Sequence, residues 1–210
     1  WARPLRPTEV ALTDSHRRAW QAVLEEDAPR LICEDDAYLS EAVGEVLTDL
    51  AARPGLEFVQ LETYNEPKLL SHAAEPLAAD PFRLHRLYRD RGGAAAYVLW
   101  PAGARRLIAS VASSYPPADA ALSLAPGLLR HQVAPACAVQ LMNVPPELAQ
   151  GEVAALGVSG ISAVPRPRPA PGADWLRYKL RRLRVSGRLL LNRLPAFGRA
   201  EYRLLGFERG

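Results

Sequence analysis

Apolar and polar positions along this chain alternate between helical and strand spacing. Over residues 8–27, Val10, Ala19, Val23 and Leu24 fall on one face of a helix. "RLIC" (30–33) follows as a short unbroken apolar run, which predicts a strand buried on both faces. "SEAVGEVLTDLAARPG" (40–55) reads as a second helix, with Ser40 as N-cap and Pro54-Gly55 as the stop. "EFVQLE" (57–62), "FRLHRLY" (82–88) and "AAYVLW" (95–100) read as strands. Pro101 opens a helix over 101–114, where its missing N–H costs little, and "HQVAPACAVQ" (131–140) closes the series as one strand. This alternation predicts an α/β layered domain over residues 1–162, with helices on both faces of the sheet.

The pattern then changes. "PRPRPAPG" (165–172) ends a stiff linker over 163–172. In the tail, residues 173–210, Leu176, Leu180, Leu183, Leu190 and Leu194 recur at steps of three, four and seven. They form one helical stripe, with Arg177, Arg181, Arg184 and Arg188 placed opposite. No internal repeat is present.

Charge sharpens this division. Net charge is +3, yet residues 1–162 carry 14 Lys+Arg against 20 Asp+Glu, and residues 163–210 carry 12 against 3. The two parts therefore face different partners. The basic tail has no zinc spacing, interleaved aromatics or reader motif, which argues against nucleic acid. An Arg-rich face beside a Leu stripe fits an amphipathic helix on an anionic membrane surface, and docking of the stripe on the domain is the alternative. Cys33 and Cys137 each sit in an apolar run, so both read as small core residues in a reducing compartment. The chain opens on Trp1 with no signal-peptide pattern, and it reads as a processed product or fragment.

The candidate chemistry begins where "RLIC" runs into Glu34, Asp35 and Asp36. Ligands of open α/β sheets bind at the carboxyl ends of strands. Three acids there suit Mg²⁺ or Mn²⁺ with further oxygens from a diphosphate, or they cap the next helix in solvent. Glu62 ends its strand in the same way, as a solvated terminus or a sugar contact. Asp119, after Pro116-Pro117, reads as the cap of a short helix or as a carboxylate base. His16 is an ordinary helical histidine or a substrate contact, and Tyr97 reads as core. Gly92-Gly93 marks a turn and is no phosphate-binding loop, since no Gly-x-Gly-x-x-Gly or Walker lysine follows.

"PTEVALTDSHRRAWQAVLEEDAPRLICEDDAYLS" resembles glycosyltransferase family 25, the lipooligosaccharide galactosyltransferase family. The resemblance rests on Glu9, Ser15, His16 and Trp20, then on Glu34 to Ala37. "FVQLE", "GAAAYVLWPAGARRLI", "PADAALS" and "VAPACAVQ" follow in family order, so it covers roughly residues 7 to 142.

The resemblance implies a nucleotide-sugar transferase of the GT-A type. Glu34, Asp35 and Asp36 would hold Mn²⁺ (or Mg²⁺) against the UDP diphosphate. Asp119 would be the general base of an inverting transfer. Ser15, His16, Glu62, Tyr97 and Gln140 would contact substrate. The donor would be a UDP-sugar, the acceptor a lipid-linked oligosaccharide, and the place the cytoplasmic face of the cell membrane. The family's Gly-Thr-Ala-Gly-Tyr here reads Gly93-Ala94-Ala95-Ala96-Tyr97, one hydroxyl fewer. Its opening strand, an Ile-Asn-Leu signature followed by an Arg, has no counterpart here. We therefore expect this chain alone to expose an apolar sheet edge and to bind UDP-sugar more weakly than about 1 mM. The reading from another class is a non-catalytic membrane-surface module that keeps the fold without donor binding.

Overall fold

A computed structural model describes residues 3–64, 66–90, 92–144, 172–191 and 194–209. The chain begins with helix α1 (Pro7–Glu25), then strands β1 (Arg30–Cys33) and β2 (Ala37–Leu39), helix α2 (Val43–Ala52) and strands β3 (Phe58–Gln60) and β4 (Glu62–Thr63). Strands β5 (Lys68–Pro76), β6 (Arg83–Arg89) and β7 (Ala96–Leu99) follow, then helices α3 (Pro101–Ser114) and α4 (Ala118–Leu124). Strands β8 (Arg130–Ala134) and β9 (Ala138–Gln140), helix α5 (Ala173–Leu191) and strand β10 (Ala200–Arg203) complete the order.

Seven strands form one mixed sheet in the order β1-β7-β3-β8-β6-β5-β10, in which only β3 and β8 run parallel. A second, three-stranded sheet has the order β2-β9-β4. Alternate residues of the central strands feed two cores. Phe58, Tyr97 and Leu99 pack with Trp20 and Val23 of α1, Leu107 and Val111 of α3 and Leu122 of α4. Val59 and Val98 face the other way, onto Val46 and Leu50 of α2. Helices therefore cover both faces, as the sequence pattern requires.

Several expectations need correction. β1 is an edge strand, paired only with β7, and just Ile32 of its four residues is buried. Leu31 and Cys33 are exposed, so Cys33 is not a core residue, whereas Cys137 is fully buried. "HQVAPACAVQ" makes two strands in two sheets, because Pro135 has no N–H to continue the ladder. Ser40 sits in a turn ahead of α2, accepting from Ala42 N–H (3.2 Å) and donating to Arg209 O (2.8 Å).

The basic tail is not one appendage. β10 pairs antiparallel with β5, and Glu208 N–H donates to Ala136 O at 2.9 Å, so the last residues join the domain. All of the Pro-rich linker except Gly172 lies outside the described residues. α5 runs beside α4 with Tyr178, Val185 and Leu189 half-buried. Its stripe residues Leu176, Leu180, Leu183 and Leu190 are exposed, so the stripe is not the docking face. At 100° per residue, Arg177, Arg181 and Arg184 lie about 110° round the helix from that stripe, and the half-buried residues hold the far side. No described helix is long and apolar enough to cross a membrane.

Candidate active site

The carboxyl ends of β1 and β3 and the amino end of β7 lie together, because β7 is antiparallel to both neighbours. Glu34 N–H donates to Ala95 O at 2.8 Å, which places the acidic loop against the start of β7. Ala95 N–H donates to Glu62 Oε1 at 2.8 Å, and Gln60 Nε2 donates to the same oxygen at 2.8 Å. At the other end of this segment, a Cβ on Gly92 would stand 3.4 Å from Asp119 Oδ2. Residues 92–95 thus connect Asp119, Glu62 and Glu34 within about 10 Å of chain.

Both glycines are required. Gly92 has φ +139° and Gly93 has φ +103°, and a Cβ on Gly93 would come 2.6 Å from Glu62 Oε1. These values lie where side chains are disfavoured, and the pair lets the backbone pass between two carboxylates. Sequence reading saw a turn there and missed this role. The available signal was two consecutive glycines directly before a buried strand.

His16 of α1 faces the acidic loop. Trp20 Nε1–H donates to Tyr97 Oη at 2.7 Å, and Tyr97 Oη lies 2.8 Å from His16 Nδ1. The indole can only donate, which leaves the phenol its own proton to offer Nδ1. Nε2–H then points at Glu34 Oε1, 3.3 Å away. Tyr97 is fully buried behind His16, and burial pushes its phenol far above the ordinary value. It orients the imidazole from the core and does not meet the solvent side of the site.

Of the three consecutive acids, Asp36 has a carboxylate oxygen that is buried: its Oδ1 has no partner, and Gln140 Nε2 approaches Oδ2 at 3.5 Å. Burial raises its carboxyl above the usual Asp value, and the charges of Glu34 and Asp35 raise it further. An unpartnered buried carboxylate oxygen among like charges fits a cation. Among the described residues, however, no three His, Cys, Asp or Glu side chains converge into a metal-holding group. The donor set suits an ion that takes one or two oxygens here and the rest from a ligand.

Glu62 is fully buried, which overturns its reading as a solvated terminus. Burial raises its carboxyl to about 7 against the opposing charge of Lys68, and Oε2 has no partner. Lys68, also buried, donates to Glu62 O (2.8 Å) and Gln132 Oε1 (2.7 Å); burial lowers its ammonium to about 8.

Asp119 stands in the first turn of α4, next to the start of the chain. It keeps contact with solvent, while protein packed on its other sides raises its carboxyl above the ordinary value. Ala120 N–H and Arg3 oppose that rise, and Glu9 and Asp90 add to it. Asp90 forms a buried ion pair with Arg130 and accepts from Ser123 Oγ at 2.8 Å, which ties α4 to the end of β6. Ser15 is not gathered in: it is exposed, and its hydroxyl donates back to Ala11 O at 3.1 Å.

One end of the sheet thus collects a histidine held by its neighbours, an acidic loop and a raised carboxylate. Such an arrangement can bind an electrophile and deprotonate a nucleophile beside it. Residues 1–122 match the sequence model described as "Glycosyltransferase family 25 (LPS biosynthesis protein)". No curated protein matches the chain.

Proposed function

The chain belongs to glycosyltransferase family 25 and is a transferase by family, and we propose that it moves a hexose, galactose by resemblance, from UDP onto a lipopolysaccharide-type acceptor. In this reading the domain is of the GT-A type. The observation that carries it is the short segment 92–95, with Asp119 at one end and Glu34 at the other.

Glu34 and Asp36 would hold a divalent cation, Mn²⁺ or Mg²⁺, with the donor's diphosphate completing its oxygens. Such an ion supplies charge neutralisation for departing UDP. The His16 Nε2–H holds Glu34 in place, because Tyr97 and Trp20 fix the ring. Gln140 steadies Asp36 from β9.

Asp119 receives the proton of the acceptor hydroxyl as that oxygen bonds to the sugar's anomeric carbon. The bond from that carbon to UDP breaks, and UDP leaves with the electron pair, so the anomeric configuration inverts. A carboxyl raised above the ordinary Asp value holds a proton more readily, which suits this task. The acceptor is a lipid-linked oligosaccharide at the cytoplasmic face of the membrane, and the exposed leucine stripe of α5 supports peripheral attachment there.

Asp119→Asn in the natural full-length protein tests the assignment. Turnover should fall at least about a hundredfold with donor affinity nearly unchanged. A loss of donor affinity with normal turnover of bound donor would make Asp119 a structural residue.

A further inference from the structure

The two sides of α5 are differently committed. Tyr178, Val185 and Leu189 are half-buried on the side away from the leucine stripe, and α5 runs beside α4. Arg3 links these elements electrostatically: its guanidinium is raised first by Glu9, and also by Asp119 of α4 and Tyr178 of α5. On the opposite side Leu176 (56%), Leu180 (52%), Leu183 (68%) and Leu190 (60%) stand open, and Phe197 beyond the helix is 91% exposed. Soluble surfaces scatter single apolar residues, but a continuous stripe of this length marks an interaction surface.

We propose that α5 lies in the plane of an anionic lipid leaflet, with its leucine stripe inserted and its Tyr178–Val185–Leu189 side carrying the catalytic domain. This inference rests on the peripheral-membrane part of the function proposed above and adds an orientation to it. Arg177, Arg181 and Arg184 flank the stripe, and Asp174 is the sole acid of the helix. A second copy of the chain would present the same positive flank and be repelled, whereas anionic headgroups complement it.

Two attachments hold the domain to this helix. α5 runs beside α4, and after α5 the chain returns to the sheet through β10. α4 carries Asp119, so the candidate base is held about one helix diameter, ~10 Å, above the leaflet. The acceptor that fits is a lipid-borne glycan whose reacting hydroxyl projects that far from the headgroups.

The test uses the whole chain and vesicles, with no donor present, so it fails or succeeds independently of transferase activity. The chain should sediment with mixed phosphatidylcholine–phosphatidylglycerol vesicles, less so as salt rises, and weakly with phosphatidylcholine alone. Leu180→Glu with Leu183→Glu should reduce that binding at least about tenfold while circular dichroism stays unchanged. In a Cys33→Ser background, an environment-sensitive fluorophore on Leu183→Cys should respond to vesicles, and one on Val185→Cys should not.

Absence of binding to anionic vesicles would overturn the anchor. Equal response at both labelled positions, or a response at 185 alone, would overturn the orientation. Self-association that the two glutamates abolish, without vesicle binding, would assign the stripe to a second copy instead.

Discussion

Gly93 and Glu62 compete for the same space: a Cβ at Gly93 would stand 2.6 Å from Glu62 Oε1, 2.9 Å from its carboxyl carbon and 3.0 Å from Gln60 Nε2. The carboxylate cannot swing aside without losing Ala95 N–H and Gln60 Nε2. The segment from Gly92 to Ala95 is therefore locked around a buried acid.

Gly93→Ala should cost about 2–4 kcal/mol of stability, combining a positive φ with overpacking against a hydrogen-bonded group. Urea denaturation measures it. A loss under about 0.5 kcal/mol would show that Glu62 is free to relocate.

Glu62 and Glu9 should each give stability a pH-dependent contribution, in opposite senses. Glu62 is raised to about 7 by burial, so the folded state keeps its proton more tightly than the unfolded chain. Its favourable contribution is full below the ordinary value of 4.5 and is lost as pH rises through about 7. Glu9 acts in the reverse sense: its hydrogen bond from Arg3 holds it at about 2 against burial, so its contribution exists above 4.5 and is lost as pH falls through about 2. His131, which burial lowers to about 4, opposes Glu62 between about 4 and 6.5, so each contribution is read as the difference in melting temperature between variant and parent across pH 2–8. Relative to the parent, Glu62→Gln should gain stability as pH rises from 4.5 to 7, and the deficit of Arg3→Ala should shrink as pH falls toward 2. A Glu62→Gln difference that does not change with pH would refute the assignment.

Tyr97→Phe removes one oxygen and strands two partners, Trp20 Nε1–H and His16 Nδ1. The expected cost is about 1–3 kcal/mol, with weakened donor binding because His16 is released from Glu34. A Tyr97→Phe protein of normal stability would mean that water replaces the phenol.

How far the sequence reveals this molecule varies by element. α3 was legible to the residue, because Pro101 opens it and its apolar spacing is regular. β1 misled: its apolar run resembles a central strand, but edge position depends on which strands pair, and no local pattern encodes that. β5 escaped notice since Lys68 is buried only through Glu62 and Gln132, the latter 64 residues away. β10 was hidden in a basic tail, and its pairing with β5 joins residues more than a hundred positions apart.

The site divides similarly. Acids at the end of β1 are visible in the chain itself, as is an aspartate following two prolines. The contact of His16 with Glu34, like the Tyr97 and Trp20 hydrogen bonds that fix the ring, needed three dimensions. Ser15 matched the same motif and is turned away by the helix's own geometry.

In the proposed transfer, Asp36 helps hold the donor and Asp119 activates the acceptor. Calorimetric titration with UDP and Mn²⁺, run on the natural full-length protein and on Asp36→Asn and Asp119→Asn, tests it most directly. Affinity should be at least about tenfold weaker in Asp36→Asn, with no metal-dependent gain in that variant, and unchanged in Asp119→Asn. Equal, metal-dependent affinity in all three proteins would contradict it.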